Sequence, residues 1–311
     1  MSQMENPVDT VIRLLTDKIS VVKDDGSQAK VSVSREWLSQ EALQNVDGHV
    51  TVGLFEAVDN KLELTGRLRR RLVNLRVNVW SLDSQMRFKI VEEVLRVVRQ
   101  NRYTPADRLY DFLYVQQGDN THKAYWATSL SDLPPGDSNW HEFLSEAIRK
   151  SDNARFSVSG YGVFAMMLFR FKIDVKESLV KKIVLAFEGY GTCPYGNGFS
   201  IRVWNHVANA WQHLQSSSSS SDDTLTIALT SNISDYIDDN GYVWLLAKTL
   251  YAGTGVFSTL YCDYVSCTIT VKGVSYLDVV SYRDVDRVDV KPFLYHTELV
   301  LKSWVLEDLE V

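Results

Sequence analysis

Between Arg67 and Val98 the hydrophobic period of the chain changes from two to helical, and that switch restricts the fold more than any other feature. Val73, Leu75, Val77 and Val79 alternate with Asn74, Arg76 and Asn78, the pattern of a strand with one buried face. Phe88, Val91, Leu95 and Val98 then recur at helical spacing, separated by Arg87, Glu92, Glu93 and Arg96. Ser81 or Asp83 can cap this helix, because a short oxygen-bearing side chain accepts from the free first-turn N–H groups. A long strand that runs into an amphipathic helix has two apolar surfaces to bury. The simplest solution packs the helix back on its own sheet.

The flanking sequence fits such a layer. Val8, Val11, Ile12, Leu15 and Ile19 form an apolar stripe behind Pro7, predicting a helix over about residues 6–19. Asp24-Asp25-Gly26 marks a turn, and Val31/Val33 and Val50/Val52/Leu54 alternate as short strands. The order helix, strands, helix predicts an α+β layer on a mostly antiparallel sheet.

From about Gly118 the texture changes. The chain becomes rich in aromatics, Ser, Thr, Gly and Asn, with almost no helical periodicity. Short alternating runs recur at 124–129, 156–159, 162–171, 182–188, 199–204, 225–229, 242–250 and 260–271. Many short strands with turn signals between them predict a β-sandwich or jelly roll. The run Ser216–Ser221 reads as a solvated loop between strands. After Gly273 the charged alternation returns, at 276–290 and 296–307. These strands are expected to complete the first sheet. The predicted fold class is therefore α+β: a discontinuous sheet-and-helix domain, residues 1–117 and 275–311, with an inserted all-β jelly-roll sandwich, residues 118–274. Insertions of this kind succeed at exposed loop tips.

The totals set bounds. The 311 residues are 45% hydrophobic and 23% charged, as in folded protein, and the net charge of −6 argues against nucleic acid as the main partner. The N-terminus lacks an apolar signal core and no run suffices to cross a bilayer, so synthesis in the cytosol, without export by the general route and without a membrane, is expected. Cys193, Cys262 and Cys267 show no zinc spacing and read as buried thiols. Cys262 and Cys267, five apart, would face opposite sides of a regular strand.

Two resemblances attach to particular residues. The helix, the short strands, the arginine-rich long strand before Val-Asn-Val-Trp-Ser-Leu-Asp, the second helix and the two closing strands resemble the tail-terminator and head–tail completion (neck-ring) proteins of tailed viruses. That resemblance implies a homo-oligomeric ring of about six copies, contacts with other virion tail and neck proteins, and location in the virion after synthesis in the host cytoplasm. The stretch from about 120 to 273, with Trp204, Asn205, Trp211, Tyr236, Asn240, Gly241, Asp263, Tyr264 and Val265, looks like jelly-roll domains similar to galactose-binding and carbohydrate-binding modules of archaeal and viral proteins. It implies the fold first, and sugar binding only where a site supports it.

Candidate sites follow from residue type. Arg67, Arg69, Arg70, Arg71 and Arg76 form the densest cationic stretch, suited to a subunit interface or a channel lining through which DNA passes without sequence-specific contact. The alternative is a solvated strand end. Trp204, Trp211, Trp244, Tyr190 and Tyr195 can stack on sugar rings of a host or virion glycan, although such rings also suit a sandwich core. Asp235, Asp238 and Asp239 cluster oxygens as a calcium candidate without EF-hand spacing; no other metal and no cofactor is expected. The six histidines are scattered, and no GxSxG, HExxH or phosphate-binding glycine loop is present. The sequence thus predicts no enzyme. It predicts a structural subunit of a tailed, archaeal virus carrying a displayed jelly roll, with a carbohydrate-binding surface-recognition protein as the alternative.

Overall fold

Asn6 opens the first helix, α1 (Pro7–Lys18): its side-chain oxygen accepts from the Val8 N–H at 2.9 Å, and Pro7 occupies a position where no N–H is needed. The computed structural model describes residues 4–35, 43–62, 68–116, 118–286 and 293–308. After α1 come β1 (Val31–Arg35), β2 (Gly48–Lys61), β3 (Leu68–Ser81), α2 (Ser84–Gln100) and β4 (Asp107–Tyr110). Then follow β5 (Lys123–Ser129), β6 (His141–Phe143), β7 (Phe156–Tyr161), β8 (Phe164–Lys172), β9 (Val180–Thr192) and β10 (Phe199–Asn205). The last strands are β11 (Ala210–Ser217), β12 (Asp223–Leu229), β13 (Tyr242–Thr249), β14 (Phe257–Val271), β15 (Val274–Asp284) and β16 (Tyr295–Asp308).

The chain divides into two compact units, Met1–Ala106 with Lys272–Val311, and Asp107–Val271. The first is a five-stranded sheet in the order β1-β2-β3-β16-β15, antiparallel except for the parallel β1–β2 pair. Leu299 lies opposite Val77 and Leu301 opposite Leu75, so the C-terminal strand pairs with the long strand that opened the sequence argument. Both helices cover one sheet face. Val11, Leu14 and Leu15 of α1 and Ile90, Val94 and Val98 of α2 are buried with Val50, Val52, Leu75, Val77, Leu299 and Leu301. Each side chain of this kind contributes about 1.5–3 kcal/mol when fully buried. Asp83 caps α2 by accepting from the Gln85 and Met86 N–H groups at 2.7 and 3.4 Å, and Ser81 ties the preceding turn to the Asp47 carbonyl at 2.8 Å.

The second unit is a sandwich of two sheets, β11-β10-β13-β8-β5-β6 and β12-β9-β14-β4, with β7 also paired to β14. Phe169 and Phe199 from the first sheet meet Phe187 from the second at 5.9 and 5.3 Å between ring centroids, and Phe112 joins them. The unit begins earlier than residue 118 because Asp107–Tyr110 pairs with Thr270–Cys267, which makes β4 a strand of the sandwich. It ends at Val271, where β14 stops pairing with β9.

Cys262 and Cys267 are free, fully buried, and on the same face, contrary to their expected opposition. The reason is a bulge: Cys262 lies opposite Gly189, yet Tyr264 lies opposite Glu188, so one residue drops out of the ladder and the alternation is reset. The extra residue is Asp263, whose buried carboxylate accepts from the Asp152 and Asn153 N–H groups at 3.3 and 3.1 Å. No helix of the described residues is long and apolar enough to cross a membrane.

Candidate functional site

Alternation divides the six-stranded sheet into a core face and an outer face. Phe169, Phe171, Leu245 and Ile201 point to the core, so Leu168, Arg170, Lys172, Leu246, Trp244, Tyr242 and Arg202 take the outer one. On β5, Tyr125 and Ala127 share that outer face, opposite Leu168 and Met166.

One half of the outer face is sealed by the segment after β5. Leu133 packs with Ala127, Met166 and Leu246, against Trp140, Phe164 and Trp211. The Trp211 indole N–H donates to the Leu133 carbonyl at 3.0 Å, and the Trp140 indole to Pro134 at 2.9 Å. Asp132 arrives with this segment and bridges two cations of the face, Arg202 at 2.6 Å and Lys248. Its side chain and that of Lys248 are about one-sixth exposed.

The other half is open. Tyr125 and Trp244 lie 6.2 Å apart between ring centroids, and Tyr242 meets Trp244 edge-on at 6.4 Å. The Arg170 guanidinium lies 4.1 Å from the Tyr242 ring and 5.8 Å from Trp244, and the Lys172 ammonium 4.9 Å from Tyr242. Arg170 also donates to the Asn120 carbonyl at 2.8 Å, which holds its planar head over the rings. Lys123, opposite Arg170 on β5, is paired with Glu142 at 2.7 Å. Burial pushes the Tyr125 phenol up, so it stays a hydrogen-bonding hydroxyl at neutral pH. Beside Lys123 a cavity of about 390 Å³ is lined by His122, Ala124, Glu142, Phe143 and Leu144 among others. His122 accepts from the Lys172 N–H at 3.1 Å through Nδ1, and burial holds its pKa below the ordinary imidazole value. Half-exposed ring faces beside fixed donors can stack on an apolar sugar face while binding its hydroxyls.

The aromatics singled out in the sequence are dispersed. Trp204 is 7% exposed and edge-on to Trp211 at 5.0 Å, so both serve the sealed half. Trp244 alone stands on the open half. Tyr190 stacks on Tyr261 at 4.4 Å on the other sheet, beside the Arg155–Asp222 ion pair. Tyr195 lies exposed in a loop against Gly253, where a Cβ would fall 2.2 Å from its ring. Tyr125, Tyr242 and Arg170 were missed. Their signal was the outward position in Lys-Ala-Tyr, Arg-Phe-Lys and Tyr-Val-Trp, which only the strand pairing brings together.

Of the calcium candidate Asp235, Asp238 and Asp239, the structure shows that among the described residues no three His, Cys, Asp or Glu are placed to hold a metal ion. Asp238 instead builds a turn, accepting from the Asn240 and Tyr242 N–H groups at 2.9 and 2.7 Å, and the Asp235 carbonyl accepts from His206 N–H at 2.7 Å. Of the arginines, Arg67 lies outside the described residues. Arg71 pairs with Asp59 at 2.8 Å, Arg76 with Glu298 at 3.3 Å, and Arg70 lies 5.4 Å from the Trp304 ring. Arg69 stands opposite Lys61 and Glu307. The side chains of Arg70, Arg71 and Arg76 thus find partners within their own sheet.

The sandwich is similar to solved carbohydrate-binding modules. A xylan-binding module, CBM15, is 13% identical over 53% of this chain and 97% of its own, with a TM-score of 0.30. The low-affinity xylan-binding module CBM86 from Roseburia intestinalis is 12% identical over 53% of this chain and 96% of its own, TM-score 0.25. The family 11 module from Clostridium thermocellum, solved with a mixed-linked tetrasaccharide, is 13% identical over 52% and 94%, TM-score 0.24. Scores of this size leave the ligand to be argued from the chain's own side chains. Residues 114–271, just over half of the chain, match the family model AF_1625_C, described as "Uncharacterized protein, C-terminal domain", and the chain belongs to that family. Curated proteins give no match.

Proposed function

We propose that the chain is a non-catalytic glycan-recognition protein whose ligand lies on the open half of the outer face, across Tyr125, Tyr242, Trp244 and Arg170. The observation that carries this reading is the contrast between the two halves of one sheet face. Where Leu133 and Trp140 cover it, the face is closed by apolar packing. Where nothing among the described residues covers it, three aromatic rings and a guanidinium fixed by Asn120 remain half-exposed. A glycan array with the full chain and with Trp244→Ala tests it. Binding to a defined glycan class, weakened about tenfold or more (about 1.4 kcal/mol) by Trp244→Ala, is expected. Binding that Trp244→Ala leaves unchanged, or no binding to any glycan, contradicts it.

The ring-subunit role in a virus tail or neck is a second reading, for the discontinuous unit. What favours it is the way the sandwich is inserted: its first and last strands are antiparallel neighbours, Asp107 opposite Thr270, so a displayed domain enters and leaves at one point. Native mass measurement tests it. A closed ring of about six copies is the expected assembly, and a monomer at every concentration and with every tail component contradicts it.

A further inference from the structure

Among the described residues the outer face of the six-stranded sheet presents five cations: Arg202 and Lys248 in the sealed half, Lys123, Arg170 and Lys172 in the open half. The sealed half shows how such a face is satisfied. Its covering segment brings apolar groups, Leu133 and Trp140, and beside them one carboxylate, Asp132, which bridges both cations. In the open half Lys123 has Glu142, but among the described residues no carboxylate pairs with Arg170 or Lys172. Both are instead parked on the ring of Tyr242, at 4.1 and 4.9 Å, two like charges on one aromatic in a chain of net charge −6. Like charges that share one ring repel. An anion that arrives with a ligand relieves that repulsion, as Asp132 does between Arg202 and Lys248 in the sealed half.

We infer that the ligand is an acidic glycan, with a uronate carboxylate seated between Arg170 and Lys172 and the sugar ring over Trp244 and Tyr125. This deepens the glycan reading above and rests on it. A planar guanidinium suits a carboxylate, which it can engage through two parallel N–H donors, and Lys172 adds a point charge from the same strand. The rings supply the stacking surface, so the site recognises charge and apolar sugar face together.

The test compares each acid with its uncharged counterpart. The full chain is titrated calorimetrically with oligosaccharides of galacturonate, mannuronate and glucuronate-substituted xylan, and with the methyl ester of each. At least one acid is expected to bind about tenfold tighter than its ester, the effect of one charge-assisted contact pair. Added salt should narrow that difference, and Arg170→Met and Lys172→Met should each erase most of it. Thermal melting of both variants shows whether they remain folded, and Lys172→Met, at the strand end, serves if Arg170→Met does not. Esters that bind as well as the acids overturn the inference and leave the glycan reading standing. So does binding of only neutral glycans that Trp244→Ala weakens. No binding to any glycan overturns both.

Discussion

Trp204 and Trp244 share a residue type and a sheet, but burial gives them different tasks. Trp204 is buried edge-on to Trp211, whose indole is tied to the covering segment at Leu133. Truncating it leaves a cavity, so Trp204→Ala is expected to lower the unfolding free energy of the sandwich by about 3 kcal/mol in urea melts. Trp244→Ala, on the open half, should change stability little and binding much. His122 carries a separate expectation. Burial holds its pKa below the ordinary 6.5, so the unfolded chain takes up a proton that the folded chain resists. Stability therefore falls as pH drops below about 6.5, and His122→Gln should flatten the melting-temperature profile between about pH 7 and 5. His49, His206 and His296, also lowered by burial, add to the same slope, so the variant reduces it and does not remove it. Residue type alone could point to Trp244 but not separate it from Trp204, because both alternate as outward positions. What separates them is the position of Leu133, which lies about seventy residues earlier in the chain.

At the scale of elements, the legible parts were those with one wet face. β3 and α2 each expose polar residues in register with their apolar ones, and α1 carries its cap and its Pro in sequence. β11 was not legible. Its side chains are half-buried or exposed along its whole length, so no alternation marks it, and its end runs into the serine run that reads as loop. The two-cysteine prediction failed for a related reason: a bulge is invisible to periodicity until the partner strand is known. The covering segment, too, has no period; Asp132, Leu133 and Trp140 became meaningful only through what they cover. Asp132→Asn is expected to loosen it by roughly 2 kcal/mol, since it leaves Arg202 and Lys248 without their counter-charge. Hydrogen exchange over residues 130–140 measures this directly, with faster exchange expected there and unchanged protection in β3 and α2. Asp83→Ala, by contrast, removes only a cap and should cost about 1 kcal/mol.

For the whole molecule, the α+β class with an inserted sandwich was readable because the two units differ in texture. Charged alternation before residue 100 and after 273 brackets a Ser-, Thr- and aromatic-rich middle. The division itself falls at Ala106/Asp107 and Val271/Lys272, set by β-pairing that composition cannot show. Because Asp107 and Thr270 are antiparallel partners, their Cα atoms are about 5 Å apart. Replacing 107–271 by a short Gly-Ser linker should therefore leave the five-stranded sheet folded, with cooperative melting and the circular dichroism of an α+β protein.

The central claim is that one half of one sheet face is the ligand site. The chain has eight tryptophans, and each indole N–H gives its own nuclear magnetic resonance signal. Titrating the full chain with the best-binding glycan, after assigning Trp244, Trp204 and Trp211 by Trp→Phe substitution, reads out where the sugar sits. The expected result is a saturable shift of the Trp244 signal with Trp204 and Trp211 unmoved. A shift confined to Trp204 and Trp211, or to indoles of the other unit, would contradict it.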